Sequence, residues 1–292
     1  MRAALVYDFD GTLARGNMQD VALLPQLGVK TPAQIAEFWA EVVKQNTADD
    51  GDHTLAYLRH LVEAGRALGN PITRKLLQAC GKKLSYFDGV PDWFDRIDAF
   101  GKSVGLEIEH YVVSAGNREI VEGSSIYGKF KNVFGCKYHY DKKGEAVWPS
   151  VVVNYTTKTQ FLFRINKGID NHWDYKAVNE WMPEKDRAIP FSRMIFIGDG
   201  DTDVPSFKMM MVQGGTSIAV FDPDEWADKG HNKTHDLIAE QRVHFVAPAD
   251  YTETSQLDVV VRGVLDRIAR AERVHPAYFA KGKFAKPAGN QP

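Results

Sequence analysis

Two aspartates, Asp8 and Asp10, stand one residue apart where an apolar run ends, in VYDFDGTL (Val6–Leu13). On an extended segment both carboxylates point to the same side. Like charges so close repel, a tension relieved by a cation or a shared proton. A hard divalent ion such as Mg²⁺ suits an all-oxygen ligand set. Gly11 lets the backbone turn sharply and approach a ligand, and Thr12 is placed to hold that turn by hydrogen bonding. Alone, this pattern is equally an acidic strand-end turn. The groups further along the chain narrow it.

A second acidic cluster follows the apolar run Met194–Ile197 in Gly198-Asp199-Gly200-Asp201-Thr202-Asp203. Between the clusters, Ile108–Val113 runs into Ser114-Ala115-Gly116-Asn117. A hydroxyl at a strand end, followed by small residues and a helix start, is an anion-binding arrangement, although Ser114 could also be a plain helix cap. Lys158 falls in the first turn of an expected helix opened by Thr156 and Thr157. A cation there opposes the helix dipole, which hints at an anionic partner. Lys167 and Lys176 are its rivals. In an open parallel sheet the carboxyl ends of the strands share one edge, and that edge holds the ligand. Two carboxylates, a hydroxyl, a cation and a second acidic cradle on one edge fit phosphoryl transfer, where positioning and charge neutralisation carry the chemistry.

These groups require buried parallel strands to carry them. Ala3–Tyr7 reads as one, and Ile108–Val113, Met194–Ile197, Ser217–Phe221 and Val243–Ala247 as others. From Asp20 to about Ala99 the periodicity is helical: Thr31-Pro32 opens one helix, and His53–Leu68, Thr73–Leu84 and Val90–Phe100 read as three more. The aromatics of this stretch, Tyr57 among them, read mostly as core. Val133–Tyr140 and Val147–Tyr155 flank a hairpin signal at Asp141–Gly144, Tyr175–Trp181 reads as a further helix, and Thr254–Glu272 as an amphipathic one. The expected architecture is α/β, a Rossmann-like parallel-sheet core at 1–16 and 100–280 with an α-helical cap inserted at 17–99. The tail 281–292, rich in Lys, Pro and Gly, is expected to be disordered.

Composition sets limits. A formal net charge of −2 over 292 residues argues against a general nucleic-acid binder. No apolar run approaches a membrane span, no secretory signal opens the chain, and two unrelated cysteines suggest a reducing compartment, so a cytoplasmic location is expected. His231 and His235 have i, i+4 spacing but no third ligand, and are not read as a zinc site.

With these motifs the sequence resembles the haloacid dehalogenase-like (HAD) superfamily of hydrolases: DFDGTL at 8–13, VVSAG at 112–116, TTK at 156–158 and GDGDTD at 198–203. The resemblance implies that Asp8 is a nucleophile forming an aspartyl-phosphate and that Asp10 is the general acid and base. It implies that Ser114 and Lys158, with Gly11 and Ala115, hold the phosphoryl group. Asp8, Asp10 through its backbone carbonyl, and Asp199 would hold Mg²⁺, with Asp203 orienting the metal site. The second aspartate separates the chain from dehalogenase members and from P-type ATPases, which carry threonine there. Cap position and helix content resemble the phosphoserine phosphatase-like group, with one departure. Asn17 stands where that group carries an acid that clamps the substrate amine, and Arg15 nearby could meet a second anionic group. The expected function is a Mg²⁺-dependent phosphatase acting on a small phosphorylated metabolite. A phosphotransferase or phosphomutase of the same fold, or a non-catalytic HAD-fold binding protein, is the alternative.

Overall fold

The computed structural model describes residues 1–200, 202–225 and 236–280. The tail from Lys281, together with Asp201, His231 and His235, lies outside them. Seven strands form one sheet in the order β4-β3-β2-β1-β5-β6-β7. They are β1 (Arg2–Tyr7), β2 (Glu107–Asn117), β3 (Asn132–Tyr140), β4 (Ala146–Val151), β5 (Met194–Gly198), β6 (Thr216–Phe221) and β7 (Phe245–Pro248). All pairings are parallel except β3–β4, the expected hairpin, which turns through Gly144 at φ 79°.

β1 is central because Ala3–Tyr7 can be buried on both faces, and all five residues are fully buried. Its register decides where the chemistry collects. Tyr7 lies opposite both Val112 of β2 and Ile197 of β5. Asp8, Ser114 and Asp199 therefore emerge from three neighbouring strands at one level. Chain order reverses on the two sides of β1, which makes this edge the switch point of the sheet.

Helices cover the sheet in two packed pairs. The helix Val90–Val104 packs on β2 and on the C-terminal helix Gln256–Ala280. The helix Lys158–Lys167 packs on β2 and on Val204–Val212. Among the described residues no helix is long and apolar enough to cross a membrane.

The stretch expected to be a helical insertion at 17–99 divides by what it packs against. Its two roots are hydrogen-bonded side by side, Arg15 N–H to Ser85 O at 2.9 Å and Phe87 N–H to Leu13 O at 3.1 Å. Val90–Val104 lies beyond the second root and buries Trp93, Phe94 and Ile97 in the main core. By its packing, Val90–Val104 goes with the sheet. Inside the insertion are, in order, a π-helical turn at Gln19–Leu23, α1 (Leu24–Leu27), α2 (Pro32–Asp49), α3 (His53–Ala67) and α4 (Arg74–Gly81). Thr31 and Gln34 form a capping box on α2, and the Asp52 side chain caps α3. α4 packs tightly on the helix Arg118–Glu122, where a methyl group at Gly123 would come within 1.9 Å of Gln78 O.

Details differ from expectation. β4 stops at Val151 rather than Tyr155, the helix expected over Tyr175–Trp181 ends at Asn179, and Thr157 does not cap with its side chain. Its hydroxyl instead accepts from Asn154 N–H at 2.8 Å. Thr12 likewise does not tie its turn through its hydroxyl, which has no hydrogen-bond partner; backbone bonds to Phe9 O do so, and Tyr251 OH donates to Thr12 O at 2.8 Å.

His172 packs edge-on against Phe134 and Phe161, and its buried Nε2 has no partner. Burial, with Arg118, Lys137 and Arg164 nearby, pushes its pKa down to about 4. Below the ordinary histidine value of about 6.5 the unfolded chain takes up a proton that the folded chain refuses. Stability is therefore expected to fall as pH drops from about 6.5 toward 4. His172→Phe should flatten that part of the curve, as read by urea midpoints across the range.

Candidate active site

The site is built from strand ends and one helix start. β1 delivers Asp8, whose backbone N–H donates to Ile197 O at 2.9 Å and so extends the ladder by one residue. Gly11 turns the chain away at φ 68°, and a methyl group there would lie 2.5 Å from Asp199 Oδ2. Glycine is required on both counts.

Lys158 is the first residue of the helix Lys158–Lys167, and its side chain is fully buried. Its Nζ donates to Asp8 Oδ2 at 2.6 Å, to Asp203 Oδ1 at 2.7 Å and to Thr202 Oγ1 at 3.3 Å. Burial alone would lower the pKa of this ammonium, but the carboxylates of Asp203 and Asp8 outweigh it and hold it above the ordinary lysine value. The turn that presents Lys158 is organised by Asn154, whose Oδ1 accepts from Thr156 and Thr157 N–H. Lys176, its rival, is exposed on Tyr175–Asn179, and Lys167 Nζ donates to Val178 O.

Asp8, Asp199 and Asp203 each bring a carboxylate oxygen within 4.8 Å of the others. Asp203 Oδ2 accepts from Asp199 N–H at 3.2 Å, so its two oxygens join Lys158 to the loop after β5. This hard oxygen cluster fits Mg²⁺. The Asp10 side chain turns elsewhere: its Oδ1 accepts from Met18 N–H at 3.1 Å. Burial, reinforced by the charges of Asp8 and Asp199, pushes the Asp10 carboxyl well above the usual carboxylate range.

β2 contributes Ser114, buried, with its Oγ accepting from Gly116 N–H at 3.0 Å. Its pairing with β3 is in register to Val113 and resumes, shifted, at Asn117 opposite Cys136. Ser114–Gly116 thus bulges out of the ladder, a device that re-aims groups at sheet ends.

Asp8, Asp10, Ser114 and Asp199 open onto one cavity of about 480 Å³, whereas Lys158 and Asp203 are fully buried and do not line it. Asp8, Asp10, Gly11, Ser114, Ala115 and Asp199 form its inner part; Asn17, Phe87, Asp222 and Glu225 lie among the other lining residues. Arg15 is held over the Phe87 ring, with Nη1 2.8 Å from Asp224 and 3.4 Å from Asp222 and Nη2 3.5 Å from Asp88. It therefore serves these acids.

Residues 5–208 match the family model described as haloacid dehalogenase-like hydrolase. The chain belongs to the HAD family of hydrolases. A relative in Borreliella burgdorferi, described only as an uncharacterized protein, is 30% identical over 281 residues, covering 87% of this chain and 93% of that one. In fold, this HAD chain is similar to a substrate-bound phosphoserine phosphatase, at TM-score 0.54 and 16% identity over 90% of this chain and 98% of that one. It is also similar to a probable phosphoserine phosphatase from Vibrio cholerae, at TM-score 0.56 and 15% identity over 93% and 67% of the two chains.

Sequence reasoning passed over Asn154, which shapes the lysine turn, and Cys136 and Tyr57, which meet the Ala115 carbonyl. An Asn three residues before a Thr just ahead of a helix was the available signal for the first. The other two are long-range contacts with no local signature.

Removing the Lys158 ammonium leaves two buried carboxylates without their counter-ion. Lys158→Ala is therefore expected to lower stability by about 3–5 kcal/mol in urea unfolding, whereas Lys176→Ala should leave the midpoint unchanged.

Proposed function

We propose that this HAD hydrolase is a Mg²⁺-dependent phosphomonoesterase that works through an aspartyl-phosphate on Asp8. The observation that carries the reading is the clamp on Asp8: one carboxylate oxygen meets Lys158 at 2.6 Å, and Asp199 and Asp203 complete an acidic cradle beside it. Asp8 attacks phosphorus and the ester oxygen departs with a proton from Asp10. Water, activated by Asp10, then hydrolyses the acyl phosphate and regenerates Asp8, which divides one hard displacement into two easier ones. The raised proton affinity of Asp10 supports the acid role, since its carboxyl holds a proton further toward neutrality than a free aspartate. Ser114 and Lys158, with the backbone at Gly11 and Ala115, bind the transferring group. Asp8, Asp199 and the Asp10 carbonyl would hold Mg²⁺, and Asp203 would steady that site through Lys158. The ion would supply neutralisation of charge between the carboxylates and the phosphoryl oxygens.

We further read α2 and α3 as a cap over the leaving-group side of the cavity, where it limits water and selects the substrate. Hydrogen bonds from α3 to the phosphate-side loops support this: Tyr57 OH to Ala115 O, and Asp52 accepting from Asn154 Nδ2 at 2.8 Å. Two free, buried cysteines agree with a cytoplasmic setting.

The acids among the described lining residues also bear on the leaving group. Asp222 and Glu225 line the cavity, and Arg15 is already committed to Asp88, Asp222 and Asp224. A leaving group that is neutral or carries an amine is favoured over one with a second anion.

Hydrolysis of an aryl phosphate is expected to depend on Mg²⁺ and to vanish in Asp8→Asn with the fold intact; turnover that survives Asp8→Asn rules out the covalent route. Asp10→Asn should slow turnover by about 10²–10⁴-fold. In a metabolite screen, amino-alcohol and polyol monophosphates should exceed bisphosphates and phosphorylated acids in kcat/KM. The opposite ranking would show that the rim carboxylates do not read the leaving group.

A further inference from the structure

The bulge at Ser114–Gly116 removes the Ala115 carbonyl from the β2–β3 ladder. A buried carbonyl without a partner is costly, so the place where this one finds its donors carries information. Two side chains meet it from different parts of the chain. Tyr57 OH, on α3 of the insertion, donates to Ala115 O. Cys136 Sγ, on β3, accepts from Val153 N–H at 3.2 Å and has two carbonyls in reach of its S–H, Ala115 O at 3.1 Å and Val153 O at 3.6 Å, of which Ala115 is the nearer. Both side chains are buried.

The consequence is transmitted by the planar peptide. Ala115 C=O and Gly116 N–H belong to one trans unit and point in opposite directions. Holding the carbonyl outward toward Tyr57 and Cys136 turns Gly116 N–H toward Ser114, where it donates to Oγ at 3.0 Å. A serine hydroxyl that accepts from a backbone amide retains its own proton to donate. Ser114 lines the cavity, so that proton is available to an oxygen bound there.

We propose that Tyr57 and Cys136 are positioning residues that aim the Ser114 hydroxyl at the phosphoryl group by clamping the Ala115–Gly116 peptide. The role assigned to Ser114 rests on the phosphatase reading above; the clamp is an addition to it. Burial keeps both clamp groups protonated, the Tyr57 phenol well above its ordinary value and the Cys136 thiol pushed up to about 12, so both remain donors throughout the working range. Because Tyr57 sits on α3, whose capping residue Asp52 also grips Asn154 beside Lys158, the seating of the insertion is coupled to the aim of the phosphate-binding serine.

The test is a double-mutant cycle read by calorimetric binding of inorganic phosphate in saturating Mg²⁺. Tyr57→Phe keeps the ring and removes the hydroxyl, and should weaken phosphate about tenfold, the worth of one well-placed hydrogen bond. In a Ser114→Ala background it should cost nothing further. Cys136→Ala, which leaves the insertion untouched, should show the same dependence on Ser114 with a smaller loss. Kinetically, Tyr57→Phe should lower kcat/KM by the same factor for every leaving group, since it acts on the group all substrates share. Equal losses with and without the serine hydroxyl would mean that Tyr57 only braces the fold and would overturn the proposal. So would a loss below twofold in the wild-type background, or a loss that varies with the leaving group. A wild-type protein that binds phosphate but hydrolyses no monoester would remove the phosphatase reading, and the binding cycle would still decide the clamp. Wild type that binds no phosphate would overturn both.

Discussion

A single buried ammonium sets the terms for the rest of the site. Lys158 has no exposure to water and bridges Asp8 and Asp203. Removing such a charge from water costs several kcal/mol, repaid only where geometry supplies close, well-aligned carboxylates. The fold meets that demand with three separate devices. The register of β1 against β5 puts Asp8 and the Asp199 loop level, the turn at Asn154 starts a helix at Lys158, and the loop after β5 folds back so that Asp203 reaches both Lys158 and Asp199 N–H. Each device serves an electrostatic balance among groups distant in sequence.

The balance also explains why the carboxylates can take different parts. Asp8 is held by Lys158, whereas Asp10, two residues on, faces the Met18 amide. Alternation on the strand placed both near the edge, but the sharp turn at Gly11 and the backbone bonds to Phe9 O separate their surroundings. Two carboxylates in unlike environments are the usual way in which one site keeps one group charged and another protonated.

Much of this was legible in the chain, and the reason lies in how local each signal is. Strand-end motifs are local, and although one acidic turn after an apolar run is ambiguous, two of them with a hydroxyl and a cation after similar runs narrow the reading. Lys158 carried a local hint of an anionic partner, a cation at the unfavourable end of a helix, while Lys167 and Lys176 stayed open as rivals until the fold set Lys158 against Asp8. The partner of Val90–Phe100 was not legible, because that stretch has helical periodicity whether it packs on α4 or on β2. Periodicity names an exposed and a buried face and is silent about the partner. Tyr57 likewise reads as an ordinary core aromatic from its spacing. Its hydroxyl matters only because the strand beside it bulges, and a bulge has no signature at Ser-Ala-Gly beyond small side chains. Arg15 misleads in the other direction: alone it suggests an anion pocket, but the acids that occupy it arrive from Asp88, Asp222 and Asp224.

The placement of those contacts divides the cavity into two chemically unlike halves. On one side, Asp8, Ser114 and the bulged backbone stand at the ends of β1 and β2, next to Lys158 and the loop after β5. On the other side, the flap at Gly16 and Asn17 and the acids of the loop after β6 face the space where a leaving group would lie. The insertion spans both halves, since Trp39 of α2 donates to Asp20 next to the flap at 2.7 Å while Tyr57 and Asp52 of α3 reach the phosphate side. The aromatic contacts Trp39–Tyr57 and Trp39–His53 join those two arms.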